Sequence, residues 1–355
     1  MNRSATIDPA NIHQVNEFKH PNPLTTLKAD PTGRFVAAGA QDLDIQLWNL
    51  NDGHLETLTG HKSWVRSIDF SADGNRMYTA CWAGTVKIWD LAGPSPELIR
   101  SLQTHQGSTR CVRVSPDGKA IATCGNDLLV KVWDIESGQR RQQFDGHQRH
   151  VYGVDFHPDG EHLVSQDLMG VSFVWNLNTN QQQRTIDASM MTGYDKKFAA
   201  DMGGARDLRF NADGTQWASA GITKVVNSFA GIQDPIIVVF DWETGQATRQ
   251  LKAADKFKGV AWGVQFHPQG FIIGAGAEKS GKGELWFYNA EQDEAFHTFA
   301  MKSAARGLDL VGKDRLAVAH ADGAMRLYQM TEPASSDSDE EKPTETAKAE
   351  QKEKQ

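Results

Sequence analysis

Short runs in which apolar and polar residues alternate dominate the chain. In one of them Val65, Ile68 and Phe70 are interleaved with polar positions, a second runs from Met77 to Ala80, and a third from Val86 to Trp89. A period of two predicts short, half-buried strands, and tight turns between them predict antiparallel pairing. The turns are marked by a quartet ending in glycine: Asp30-Pro-Thr-Gly33, Ser71-Ala-Asp-Gly74, Ser115-Pro-Asp-Gly118, His157-Pro-Asp-Gly160, Asn211-Ala-Asp-Gly214 and His267-Pro-Gln-Gly270. Fifteen residues after the first four of these glycines stands a tryptophan: Trp48, Trp89, Trp133 and Trp175. An interval held fixed between a turn and a bulky residue means that one structural unit is being repeated.

Two of the tryptophans are followed by Asp90 and Asp134, two by Asn49 and Asn176, and Gly60-His61 and Gly146-His147 open two of the repeats. With these residues the chain resembles the WD40-repeat family. Three further repeats are degenerate, with Phe240-Asp241, Tyr288-Asn289 and Tyr328-Gln329 at the Trp-Asp place, aligned through Phe210, Phe266 and Leu310. One four-stranded sheet cannot bury both its faces, so neighbouring repeats must cover one another. The resemblance implies an all-β, seven-bladed propeller whose job is to bind other macromolecules. It also implies that the N-terminal strand, Ile12 to Phe18, completes a last blade that otherwise stops after three strands near Met330. The expected organisation is an N-terminal extension over 1–11, the propeller over 12–330 and a disordered acidic tail over 331–355.

By the same resemblance, one repeat carries the family's full buried hydrogen-bond network at His105, Thr123, Asp127 and Trp133. Recurrence with losses argues for scaffold rather than for a catalytic His-Asp pair. Blade one keeps His20, Asp42 and Trp48 but has Ala38 at the hydroxyl place. Blade two keeps His61, Thr79 and Trp89 but has Ala83 for the carboxylate, and blade four keeps His147, Ser165 and Trp175 with Met169 there. Blades two and four are therefore expected to be looser.

In the family, the residue five positions after the repeat histidine points into the mouth of the central channel. Carried across, that position is Thr25, Arg66, Arg110, Tyr152, Arg206, Trp262 and Arg306. Four convergent arginines create a local positive potential suited to carboxylate or phosphate, and the aromatics suit stacking. The competing expectation is that each arginine pairs with a neighbouring carboxylate such as Asp207 or Asp309, or lies solvated. Trp64 and His150, at equivalent places, are expected to flank the mouth. Three lengthened segments, 187–204 with Met190, Met191, Tyr194, Phe198 and Met202, then 223–235, then 278–283, map to the same face. They form either contact loops or a structural cap.

Composition adds mostly exclusions. The net charge of −8 divides between a body at −4 and residues 331–355, where eight acidic residues outnumber four lysines. An acidic body without a basic stripe disfavours nucleic acid. Cys81, Cys111 and Cys124 are too few for a disulfide framework or a metal site, there is no apolar leader near the start, and a reducing, cytoplasmic setting is expected. Gly276 to Gly283 nearly spells a phosphate-binding loop, but Gly283 stands where a hydroxyl is needed and a strand follows instead of a helix. No cofactor is implied. Ser335, Ser336 and Ser338 stand before acidic residues, as kinase substrates do, in a tail expected to be a solubilising segment too short to reach the mouth of its own chain. The function expected is a non-catalytic scaffold that binds protein segments, acidic or phosphorylated, around the channel. Two other classes stay open on the sequence: a nucleic-acid-associated adaptor using the arginine ring, and a propeller enzyme.

Overall fold

A computed structural model describes residues 6–227, 230–254 and 256–333. Seven four-stranded antiparallel sheets follow one another around a ring, and the described residues contain no helix beyond two single 3-10 turns, Pro9–Asn11 and Ser189–Met191. Among the described residues no helix is long and apolar enough to cross a membrane. In each blade the strands run a, b, c, d from the channel outward. Strands a are Leu24–Ala29, Val65–Phe70, Thr109–Val114, Val151–Phe156, Asp207–Phe210, Gly259–Phe266 and Ala305–Val311.

The Gly-terminated quartets are the a–b turns. All six of their glycines take the left-handed conformation, φ between +67° and +88°, which a residue with a Cβ enters only at a cost. The bulky residues that follow occupy one place in every blade, on strand c against strand b. Trp48 lies opposite Val36, Trp89 opposite Met77, Trp133 opposite Ile121 and Trp175 opposite Leu163. Phe240 opposite Trp217, Tyr288 opposite Ile272 and Tyr328 opposite Leu316 continue the series through the degenerate repeats. In blade five Trp217 and Phe240 stack face to face, 4.0 Å apart and 9° from parallel, so that blade keeps the aromatic volume with the tryptophan moved one strand inward. The core lies between blades. One apolar cluster, for example, joins Cys124 and Val132 of blade three to Val151, Val154 and Trp175 of blade four.

Closure is as the resemblance implied. His13–Lys19 pairs antiparallel with Ala324–Gln329, as strand d of blade seven. The ends of the ring interlock further: Asp8 donates its N–H to Met330 O at 2.7 Å, and Ile7 and Ile12 pack in a cluster with Met330. Thr331, assigned from the sequence to the tail, is buried. The serines at 335, 336 and 338 and the rest of 334–355 lie outside the described residues.

Two of the lengthened segments are ordered as strands rather than loops. Strands b and c of blade five run on as Gln216–Asn227 and Ile232–Asp241, a hairpin crest, and 187–204 folds into a small hairpin of Gly193–Asp195 against Ala200–Met202. The phosphate-loop look-alike is the end of one strand, a turn and the start of the next (Ile272–Glu278 and Gly283–Tyr288), with no helix.

Candidate functional site

The mouth of the channel is built by a backbone device repeated around the ring. Pairing between strands a and b slips one register at Thr25, Arg66, Arg110, Tyr152, Trp262 and Arg306. A bulge of this kind leaves one residue outside the ladder and re-aims its side chain. Blade five reaches the same end differently: Arg206 precedes a short strand a and donates its N–H to Ala220 O. All seven residues expected at the mouth line one cavity of about 50 Å³, room for a few waters or one side-chain head group and not for a folded element. Thr25 is committed to the scaffold, since it donates its hydroxyl to Val65 O at 2.6 Å.

Neighbouring carboxylates do not hold the arginines. Among the described residues Arg66, Arg110, Arg206 and Arg306 make no ion pair. The two carboxylates expected to neutralise them are taken: Asp207 bonds Arg113 at 3.1 Å and Arg209 at 3.0 Å, and Asp309 bonds Lys28 at 3.0 Å. Instead, aromatic faces alternate with guanidinium groups in a closed circuit. Arg110 lies 5.8 Å from Trp82 and 4.2 Å from Tyr152, Arg206 lies 5.4 Å from Tyr152 and 5.5 Å from Trp262, and Arg66 lies 5.4 Å from Trp262 and 5.5 Å from Trp82. Arg306 adds to Trp262 at 5.0 Å. Ring quadrupoles attract the cations from their faces and leave the N–H edges for an anion. Burial, then the like charges of Arg206, Arg306 and Arg110, push Arg66 down to about 9. Burial also lowers Arg206 and Arg306. Arg206 Nε and Trp262 Nε1 are buried donors without an acceptor among the described residues.

Three residues farther along each strand a stand Lys28, Asp69, Arg113, Asp155, Arg209, Gln265 and Asp309, so the layer below the mouth alternates in sign. Its members join blade to blade: Lys28 to Asp309, Arg113 to Asp155 at 3.8 Å, and Gln265 Nε2 donating to Asp309 Oδ1 at 2.7 Å. Burial raises the Asp155 carboxyl to about 6, against the opposing charges of Arg113 and Arg209. With Asp207 added this layer is close to neutral, and the excess positive charge is confined to the mouth.

Trp64 and His150 sit in equivalent places, the backbone C=O of each accepting the N–H of the residue just after strand b, Trp82 and Leu168. Trp64 packs at 5.4 Å on Trp82 and donates Nε1 to Gln41 O, which fixes Trp82 against Arg66 and Arg110. His150 is exposed beside Arg110, whose charge, after burial, lowers its pKa. Trp82 was not among the residues singled out from the sequence. Its signal was there, because it holds the same place after strand b as Gln41, Asn126 and Leu168, and Asn126 accepts from Arg110 Nε at 2.7 Å.

The buried networks are separate from the mouth. In blade three His105 bonds Asp127 Oδ1 at 2.6 Å and Thr123 Oγ1 at 2.8 Å, and Trp133 Nε1 donates to the same hydroxyl at 2.9 Å. Blade four corrects an expectation. Met169 does not leave its network open, because Asp167, two residues earlier, reaches His147 Nδ1 at 3.1 Å while Ser165 bonds His147 and Trp175. In blade two, among the described residues, nothing replaces the carboxylate, and His61 Nδ1 is buried without a partner. His157, Asp159 and His162 converge on the opposite face at metal-binding distances. Hydrogen bonds account for them: His162 Nδ1 donates to Asp159 Oδ2, Asn176 Nδ2 to His162 Nε2, and His157 bridges to Gly214 O as His267 does to Lys313 O.

The crest of blade five stands beside the mouth, flanked by the other two lengthened segments. Gly193 abuts Val225, Gly231 abuts Lys279, and Met191 is buried in the core shared by blades four and five. The base of 187–204 is thus a structural plug. Tyr194, Phe198, Val226 and Ile232 nevertheless remain about half exposed or more. Gly204, at φ +82°, lies under the Tyr152 ring, where a Cβ would come within 2.6 Å of Cγ.

A family model described as WD domain, G-beta repeat matches residues 13–49, 53–90, 96–134 and 138–167. Protein groucho of Drosophila melanogaster is 24% identical over 188 residues, 51% of this chain and 26% of that protein. Nuclear distribution protein PAC1 of Arthroderma benhamiae is 26% identical over 178 residues, 44% of this chain and 38% of that protein. Transcription initiation factor TFIID subunit 5 of Caenorhabditis elegans is 27% identical over 158 residues, 44% of this chain and 24% of that protein. The match spans less than half the length of each of these relatives. WD40 repeats thus match four blades of this seven-bladed β-propeller, and three further blades continue their strand register.

Proposed function

We propose that this propeller is a non-catalytic scaffold that receives an acidic or phosphorylated segment of a protein partner at the arginine mouth. The observation that carries this reading is the set of four guanidinium groups held against aromatic faces with no carboxylate of their own. A positive site that the described residues leave uncompensated, in a cavity the size of one head group, favours an anionic side chain over a bulky substrate. No paired acid and base occupies the ring positions, which disfavours an enzyme.

The test is fluorescence polarisation with two labelled decapeptides, one bearing three consecutive glutamates and one bearing a single phosphoserine. At least one should bind with an affinity that falls as salt rises, and Arg306→Ala and Arg110→Gln should each weaken it about tenfold, the worth of one charge-assisted hydrogen bond. Binding of neither peptide, or equal binding by the variants, would exclude the mouth as an anion site.

A further inference from the structure

We propose that the groove leading out of the mouth, between the crest of blade five and blade seven, is the second half of the recognition surface and binds one peptide group of the partner's extended main chain. This rests on the reading of the mouth given above. The groove starts at Trp262 and Arg306 and passes Gln233 on the crest; residues without a side chain beyond Cβ, among them Gly259, Ala304 and Ala321, make up half of its lining, beside Val260, Glu278 and Lys279. Such a lining lets another backbone approach closely.

Nine buried side-chain polar atoms lack a hydrogen-bond partner among the described residues, and three of them, Arg206 Nε, Trp262 Nε1 and Gln233 Oε1, gather at the mouth and this groove. Gln233 is only 6% exposed, so its carbonyl is not simply solvated. Leaving such an atom unmet costs about 1–3 kcal/mol, and folded proteins hold few of them. Trp262 Nε1 can only donate, while Gln233 Oε1 can only accept. A peptide group, with one C=O and one N–H, meets both. A phosphodiester backbone offers acceptors alone and leaves Gln233 unmet, which favours a protein segment over nucleic acid. The anionic side chain in the mouth would then fix where along the segment this peptide group falls.

The experiment uses the full chain, immobilised, and three soluble libraries of nonapeptides with phosphoserine, glutamate or, for comparison, neutral glutamine fixed at the centre and all other positions randomised. The wild type should exclude proline, which has no N–H for Gln233 to accept, at one position on one side of the fixed residue only. For the best peptide, Gln233→Met, which keeps volume and removes the acceptor, should weaken binding about five- to tenfold while the melting temperature of the free protein stays equal or rises. Ala321→Trp, which fills the groove, should abolish the one-sided selection yet keep the preference for the central acid. Random flanks with the wild type, or binding by Gln233→Met equal to wild type, overturns the groove and leaves the mouth standing. A library with no preference for the fixed acid overturns both.

Discussion

Ala83 shows how much one side chain decides inside a repeated network. In blade three the equivalent Asp127 holds His105, and the bonds to His105 and Lys131 keep that carboxyl well below its usual range. In blade two His61 has no such partner, and burial, then the charge of Lys87, lowers it to about 4 from a usual 6.5. A histidine whose folded pKa is depressed destabilises the fold in acid: the unfolded chain takes up the proton below about 6.5, the folded chain only near 4. Stability is therefore complete above pH 6.5 and lost as pH falls toward 4, by about 3 kcal/mol for this group. Ala83→Asp should add about 1 kcal/mol at pH 7 and flatten the acid limb, because the introduced carboxylate would raise the His61 pKa again. Urea midpoints of both proteins at pH 7 and pH 4.5 check this; parallel acid losses would refute it.

At the scale of elements, the crest and its flanking hairpin divide into a part that holds the fold and a part that does not. Met191 is fully buried among Val164, Val174 and Trp217, so removing all of 187–204 would open the core between blades four and five. Replacing only 193–202 by a short glycine linker keeps Met191 and removes exposed Tyr194 and Phe198. This trimmed chain should unfold within about 1 kcal/mol of wild type in urea, whereas Met191→Ala should cost about 2–5 kcal/mol. The fold and the mouth ring were legible in the sequence because both depend on spacing: a turn glycine fixes the tryptophan after it, and the repeat histidine, or the apolar anchors where that histidine is missing, fixes the mouth residue. Trp82 and Gln233 were not, because they act across blades and their partners come from folding rather than from an interval. Asp167 was missed for a related reason. The sequence offset specifies a place for a carboxylate, but a turn can supply it from two residues earlier.

The molecule as a whole stands or falls on its closure. Tyr328, Leu327 and Met325 are buried, on a strand that would be a bare edge without His13–Lys19. A chain lacking residues 6–19 should lose the single cooperative melting transition of the full ring, and a synthetic peptide of residues 6–20 added in trans should restore it. Calorimetry with and without the peptide decides; an unchanged transition in the shortened chain would show that closure contributes little. The charged layer beneath the mouth carries a different consequence. Seven is an odd number, and signs cannot alternate around an odd cycle without two equal neighbours meeting somewhere. Gln265 sits between Arg209 and Asp309 and removes that conflict by carrying no charge, so the parity of the ring itself demands one neutral member, and an ion of either sign there would confront a like charge next door.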